Sequence, residues 1–296
     1  IFRRLPHLRF VGSIHEHVEN LSGDPARTML YAEELVLYDT GYSPQIMRQK
    51  SERDLELLSA RRAAGHHDKM DAYHLMDCYY TLEDYEKAAA YAREAMDLPE
   101  QPVGGEKRPH TVLLQSLILM NAADAEIDAA YHAALGRFPE TADFPFIYGT
   151  YAWERGYLAA ARRAYAEGVR LYEEHYRPGD LSGVFAPLAY ERLGAAAELC
   201  GEKEAAAAFY IRSLRAQKRH LLSLKALLRL LAETGAETAD VVAALNELYD
   251  EQADAGLLAQ ALVDTPFPLA ALYYEKRAGG KFSARRRLLL TGEVCA

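Results

Sequence analysis

Small residues recur at fixed spacing along this 296-residue chain, alternating with large apolar residues. The clearest copy has seven positions at offsets of 0, 3, 4, 7, 16, 20 and 23: Tyr190, Leu193, Gly194, Ala197, Ala206, Tyr210 and Ser213. Residues three and four apart share one face of an α-helix, so the spacing predicts two consecutive helices joined by a short turn. Because Gly194 and Ala206 have almost no side chain, we expect the two helices to approach closely there.

The same pattern occurs elsewhere in the chain. An earlier copy contains Ala72, Leu75, Tyr79, Ala88, Ala92 and Ala95; a third contains Tyr148, Gly149, Ala152, Gly156, Ala161, Tyr165 and Gly168; and a weaker half-copy contains Ile127, Tyr131, Ala134 and Pro139. These offsets resemble the tetratricopeptide repeat, a helix-turn-helix unit of about 34 residues. The sequence therefore predicts an all-α fold, a tetratricopeptide-like α-α solenoid of antiparallel helix pairs, with a binding surface as its default function.

The segments on either side of the repeats have different patterns. Two β-rich runs, Leu8–Gly12 and Leu35–Tyr38, are separated by the turn-forming Gly23-Asp24-Pro25 and predict a short β-hairpin-like segment. Beyond the repeats, helices are predicted over residues 220–233, 238–249, 257–263 and 268–277, and the last two are expected to cap the solenoid. We therefore divide the chain into residues 1–42, helical repeats at 43–235 and C-terminal capping helices at 236–296.

Composition excludes several classes of function. The mean hydropathy is −0.22, and no apolar run approaches the roughly 18 to 20 residues that a membrane span requires. The net charge is −9 and basic residues are interspersed with acidic ones, which argues against nucleic acid as the main partner. Three cysteines are too few for a disulfide framework or a zinc site, so we expect a reducing compartment, the cytoplasm.

Three motifs occur in order near the N-terminal end of the chain: FVGSIHE at Phe10–Glu16, TGYSP at Thr40–Pro44 and KSERDLELL at Lys50–Leu58. Together they resemble the end of a family 2 glycosyltransferase domain joined to tetratricopeptide repeats. The resemblance implies that residues 1–42 are the last part of an α/β catalytic domain whose nucleotide-binding half lies upstream of Ile1. It also implies a divalent metal ion and a nucleotide-sugar in the intact enzyme, with no cofactor held by this chain.

The same resemblance assigns a role to His15. In such enzymes a late histidine completes the metal shell or contacts the diphosphate of the sugar donor, and His15 matches that position. The alternative is an ordinary surface or hydrogen-bonded histidine, since His15 and His17 alternate along a predicted strand. The cluster His66-His67-Asp68 is interpreted as a polar loop rather than a metal site.

Candidate partner-binding residues are those predicted on the concave face, where the first helix of each pair is exposed. They are Tyr73, Asp77, Tyr80, Phe146, Thr150, Trp153, Glu191 and Arg192. Exposed aromatic side chains provide large contact area at low entropic cost, although most of these rings would belong to the core under the alternative interpretation.

Two functions remain open. The first is an accessory region of a glycosyltransferase that binds or presents a protein or peptide acceptor. The second is a stand-alone protein-protein interaction scaffold without catalysis. The sequence contains no nucleophile elbow, phosphate-binding loop or metalloprotease motif, so this chain alone is predicted to be inactive.

Overall fold

The computed structural model describes residues 6–11, 17–22, 43–65, 70–98, 105–176 and 181–280. These ranges contain two strands and thirteen helices. The strands are β1 (Leu8–Val11) and β2 (His17–Asn20), and the helices are α1 (Pro44–Ala63), α2 (Asp71–Thr81), α3 (Tyr85–Met96), α4 (Arg108–Leu119), α5 (Asp124–Arg137), α6 (Asp143–Glu154), α7 (Leu158–His175), α8 (Ser182–Leu199), α9 (Lys203–Ala216), α10 (Leu221–Glu233), α11 (Thr238–Asn246), α12 (Ala255–Leu262) and α13 (Pro268–Arg277).

The two strands form an antiparallel hairpin. Leu8 lies opposite Asn20, and the backbone N–H of Leu21 donates to the carbonyl of His7 at 2.8 Å. The first predicted strand is therefore confirmed as β1, and its hairpin partner is β2, which begins at His17, a residue that was also predicted to lie on a strand. The second predicted strand, Leu35–Tyr38, and the predicted turn at residues 23–25 lie outside the described residues.

The first helix of each repeated pair ends at a residue with left-handed backbone conformation. These residues follow α2, α4, α6, α8 and α10 and are Glu83, Asn121, Gly156, Gly201 and Gly235. Gly156 and Gly201 have φ angles of 78° and 77°, which a residue without a Cβ adopts at little cost. This turn reverses the chain, so the second helix of each pair begins a few residues later.

The chain divides into two compact units, residues 1–130 and 131–296. In the first unit, α1 packs on α2, α2 on α3 and α3 on α4, and α2 also contacts α4. In the second unit, helices α6 to α10 pack consecutively and α6 also contacts α8. Contacts between consecutive helices, together with contacts between the first helices of successive pairs, are the packing expected of antiparallel helix-pair repeats. The predicted all-α, tetratricopeptide-like class is confirmed.

The C-terminal helices of the second unit pack in an interleaved order. Helix α10 contacts α12, α11 contacts α13, and α12 packs on α13. One hydrophobic cluster continues from Ala197 in α8 to Tyr274 in α13. The four helices predicted after the last repeat are therefore present, and apolar side chains along one side of each helix join them to the repeats.

Glycine in the first helix of a pair accommodates an aromatic ring from the second helix. A Cβ atom at Gly194 would lie 2.6 Å from Cε1 of Tyr210, and one at Gly149 would lie 2.9 Å from the ring of Tyr165. In the earlier repeat the positions equivalent to Gly194 and Tyr210 hold Met76 and Ala92, both completely buried. The larger side chain there belongs to the first helix instead of the second.

The described cysteines have different environments. Cys78 is buried beside Leu58 and Leu75, as expected of a small core residue, and burial raises the pKa of its thiol to about 12. Cys200 is exposed at the C-terminal end of α8, where Arg162 Nη1 donates to its Sγ at 3.3 Å. A thiol in a repeat helix usually serves as a small core residue, but Cys200 stands at the end of α8, where its side chain is exposed.

Buried serines connect three helices of the second unit. Ser213 Oγ donates to the carbonyl of Pro187 at 2.7 Å, and Ser223 Oγ donates to Ser213 Oγ at 2.7 Å. Nδ1 of His220 lies 2.9 Å from Ser223 Oγ, so the imidazole ends this chain of hydrogen bonds. Burial, together with the positive charge of Arg192, lowers the pKa of His220 below its usual 6.5.

The His220 environment predicts a pH effect on stability. A histidine whose pKa is lowered by folding binds a proton more readily in the unfolded chain, so its contribution is complete above the unfolded pKa of 6.5 and decreases as pH falls. We expect the unfolding free energy of the parent to fall more steeply than that of His220→Gln between about pH 7 and pH 5. Urea titrations at several pH values measure this, with His132→Gln at an exposed histidine as the control. Parallel pH profiles for parent and His220→Gln would contradict it.

Candidate functional site

Three predicted binding residues of the first unit surround Arg108. The Nε atom of Arg108 donates to Asp77 Oδ1 at 2.8 Å, and its guanidinium carbon lies 5.4 Å from the centre of the Tyr80 ring. Tyr80 donates its hydroxyl to Gln115 Oε1 at 3.0 Å, while Tyr73 donates to the carbonyl of Gly105 at 3.4 Å. The structure brings these predicted residues together, but their polar groups are used to connect α2 to α4 and the segment before it.

A groove of about 440 Å³ lies beside this cluster, between α1, α2 and α4. Its charged lining residues are Lys50, Arg53, Asp54, Asp77 and Arg108. Arg53 donates to Asp54 through Nε at 2.9 Å and Nη2 at 2.6 Å. Carboxylates and cations therefore compensate one another along this groove, and it shows no strong preference for one sign of ligand charge.

Two predicted binding residues of the second unit are buried, and this corrects their assignment. Phe146 is completely buried, and a Cβ atom at Gly168 would lie 2.5 Å from its ring. Glu191, only 8% exposed, occupies the equivalent position one repeat later, 22 residues before the small Ser213. Because both side chains are buried, neither is available to a partner.

Glu191 is an unusual residue for such a buried position. Burial raises the pKa of its carboxyl, and Arg192 Nη1 at 3.3 Å partly offsets that effect. Thr150 is also directed inward: its hydroxyl donates to the carbonyl of Phe146 at 3.0 Å and accepts from the Tyr165 hydroxyl at 3.2 Å. Thr150 therefore serves internal hydrogen bonding.

Trp153 and Arg192 are the predicted residues that reach an open surface of the second unit. The guanidinium carbon of Arg192 lies 4.8 Å from the centre of the indole ring, within cation–π range. Trp153 lines a groove of about 380 Å³, which we call the Trp153 groove. Its other lining residues are Ala195, Glu198, Leu199, Lys203, Arg229, Leu230 and Glu233.

A line of paired charges forms one side of the Trp153 groove. Arg229 donates to Glu198 Oε2 at 2.5 Å and to Glu233 Oε1 at 2.9 Å, and Lys203 Nζ donates to Glu233 Oε2 at 3.3 Å. Arg229 and Lys203 lower the pKa of Glu233 by hydrogen bonding to its charged form. These four residues were not among those predicted to bind a partner. Arg229 stands among leucines in α10, and nothing in that local pattern indicates that it reaches a groove formed with α6 and α8.

Among the described residues, no group of three or more histidine, cysteine, aspartate or glutamate side chains could hold a metal ion. His15 and the cluster at 66–68 lie outside the described residues, so the role of His15 stays a prediction. In the part of the chain described by the structure, no helix is long and apolar enough to cross a membrane.

Comparisons with known proteins identify the fold. No protein-family model matches the chain, and no curated protein matches it. A solved structure is similar: the C-terminal part of a TPR repeat-containing protein from Cytophaga hutchinsonii, at 15% identity and a TM-score of 0.53. The alignment covers 84% of this chain and 94% of that one. At this identity the likeness concerns the fold alone, and it agrees with the helix-pair repeats described above.

Proposed function

We propose that this chain is a protein-protein interaction module and that the Trp153 groove binds a segment of its partner. The observation that carries the proposal is a partly exposed tryptophan in a groove formed by residues of α6, α8, α9 and α10. Tryptophan and arginine are the residues most enriched among those that dominate binding energy at protein interfaces. Helix-pair repeat proteins use the surface formed by successive first helices for binding, which agrees with this location.

The paired charges of the groove favour a protein segment over a small charged metabolite. Glu198, Arg229, Glu233 and Lys203 compensate one another, so no concentrated charge remains to hold a phosphate or a metal ion. A peptide offers both apolar side chains for Trp153 and the exposed Leu199 and polar groups for the charged side. Binding would then depend mainly on desolvation of the indole ring.

Trp153 is the only tryptophan in the sequence, so its fluorescence reports directly on this groove. We expect tryptophan-free peptides selected on the full chain from a random display library to shift the Trp153 emission. Trp153→Ala should weaken their binding by at least about tenfold, which is typical of a residue that dominates an interface. Leu158→Ala, at an exposed apolar residue outside the groove, is the matched control. Selected peptides that bind Trp153→Ala as tightly as the parent would contradict the proposal.

A more specific function, the acceptor-binding region of a family 2 glycosyltransferase, is proposed on the N-terminal motifs. Strand β1 overlaps the FVGSIHE motif, and the KSERDLELL motif lies within α1, which agrees with the strand-then-helix order of that resemblance. The division into residues 1–42, 43–235 and 236–296 belongs to this proposal, as do the metal ion and the nucleotide-sugar of the intact enzyme. An upstream α/β domain with an Asp-x-Asp triplet in the same gene would support it; a start codon next to Ile1 would contradict it.

A further inference from the structure

A second groove lies between α10 and α12 in the second unit, with a volume of about 670 Å³. We call it the α10–α12 groove. Its apolar lining comes from Leu221 on α10, Leu257 and Ala261 on α12, and Val263 and Pro266 in the loop that follows. Leu221 is 49% exposed, and Leu257, Ala261 and Val263 are partly exposed beside it. The groove is therefore a wide apolar surface open to solvent.

Three polar side chains at this groove make no hydrogen bond or ion pair within the described residues. They are Lys225 on α10, Gln260 on α12 and Asp264 in the loop after α12, and all three are exposed. The arrangement contrasts with the Trp153 groove, where the charged side chains are paired. Arg229 lines both grooves, but Glu198 and Glu233 already bind its guanidinium. The unpaired cation of the α10–α12 groove is therefore Lys225.

We propose that the α10–α12 groove binds an extended peptide segment in which a large apolar side chain adjoins an acidic residue. The apolar side chain would cover Leu221 and Leu257, and the carboxylate would pair with Lys225. The Gln260 amide offers both a donor and an acceptor, which match the C=O and N–H of an extended peptide backbone. Asp264 accepts a hydrogen bond from a further backbone N–H and disfavours a second carboxylate at its end of the groove.

This chemistry favours a peptide over a free anion. A small carboxylate or phosphate would pair with Lys225 but leave the apolar lining of the groove exposed to water. A purely apolar ligand would cover the leucines and leave the Lys225 charge next to a dry surface without a partner. A segment with both features satisfies each group, and charge complementarity is the property that discriminates against wrong partners.

This assignment rests on the proposed protein-protein interaction function and adds the class of peptide that binds. It is tested at residues that do not line the Trp153 groove. The probes are octapeptides of glycine and serine with a central leucine or phenylalanine, preceded by aspartate, lysine or serine, measured by fluorescence anisotropy with the full chain. We expect the aspartate-containing peptides to bind about fivefold more tightly than the serine ones, the effect of one exposed ion pair. The lysine-containing peptides should bind more weakly than the serine ones.

The substitution Lys225→Glu tests whether the preference for aspartate-containing peptides arises at the α10–α12 groove. This variant should reverse the preference, so that lysine-containing peptides bind more tightly than aspartate-containing ones. Lys276→Glu makes the same charge change at an exposed lysine on α13 that does not line the groove, and it should leave the preference unchanged. Leu257→Ala should weaken binding of all three peptide classes, because it removes apolar contact area that they share.

The outcomes separate this proposal from the one for the Trp153 groove. Absence of binding, absence of an aspartate preference, or a preference that survives Lys225→Glu would overturn the α10–α12 assignment. Binding that is lost in Trp153→Ala and unaffected by Lys225→Glu would also overturn it while supporting the Trp153 groove. Binding that survives Trp153→Ala and is reversed by Lys225→Glu supports the α10–α12 groove alone.

Discussion

Gly194→Met is expected to lower the unfolding free energy of the chain by about 3 kcal/mol, at the upper end of the usual cost of overpacking a core. Even a Cβ atom at this position would lie 2.6 Å from Cε1 and 2.9 Å from Cδ1 of Tyr210. The Tyr210 ring is 1% exposed and cannot swing into solvent without opening the contact between α8 and α9. Tyr210→Ala should cost about 3 to 5 kcal/mol, because it leaves a cavity at the same contact.

The double substitution should be much less harmful than the sum of the two single ones. Met76 and Ala92 occupy the equivalent positions in the earlier repeat, where a large residue in the first helix faces a small one in the second. Gly194→Met combined with Tyr210→Ala reproduces that arrangement and should recover about 2 kcal/mol relative to additivity. Urea unfolding followed by circular dichroism measures the cycle. If the changes in unfolding free energy were strictly additive, the side chains at positions 194 and 210 would not compete for the same volume.

A substitution at Gly256 is the control that separates the change in helix propensity from the steric clash expected at Gly194. Gly256 lies in α12, and an added Cβ would meet nothing within 4 Å. Gly256→Ala should therefore leave the chain unchanged or stabilise it by about 0.5 kcal/mol, since alanine favours helix over glycine. Gly194→Ala, by contrast, should be destabilising despite the same gain in helix propensity.

Arg61→Met is expected to destabilise the first unit by about 3 kcal/mol, the usual cost of removing one member of a buried ion pair. Arg61 near the end of α1 forms an ion pair with Asp71 at the start of α2. Asp71 is 3% exposed, so removal of the guanidinium leaves a carboxylate away from water without its cation. Unfolding by urea, followed by circular dichroism, measures the change.

Arg53→Met on the same helix is the matched control. Arg53 pairs with Asp54, but its side chain is 67% exposed, so the pair contributes little in water. We expect a change of less than about 1 kcal/mol. Equal effects of the two substitutions would indicate that the Arg61–Asp71 pair is as well hydrated as the exposed pair, and would contradict the expectation for Arg61.

The sequence predicted the helix pairs well because their determinants are local. Glycine or a comparable turn residue ends each first helix, and Asp84 caps α3 by accepting from the Lys87 backbone N–H at 3.2 Å. The small residues at Gly149 and Gly194 also carry a spacing signal, since their aromatic partners come sixteen residues later in sequence. Such short separations leave little freedom for alternative pairings.

The binding surface was harder to predict because exposure depends on helices that are distant in sequence. Phe146 and Glu191 belong to first helices, as predicted, but both side chains are buried, and Phe146 lies against Gly168 of the second helix. Arg229 and Lys225 lie in a leucine-rich helix whose pattern indicated only core packing. Their role emerges when α10 meets α8 on one side and α12 on the other.

For this protein, residue spacing alone determined the class of fold, the positions of the turns and the spacing of the glycine and aromatic residues that meet in two of the helix pairs. These features depend on steric fit between residues that lie within about two and a half turns of helix of a chain reversal. The tertiary structure decided which helix faces stay exposed, which charges are compensated and where the three grooves form. Those properties depend on which helices pack against each other. The periodic spacing of apolar residues shows which face of a helix is buried, but it does not show which other helix buries that face.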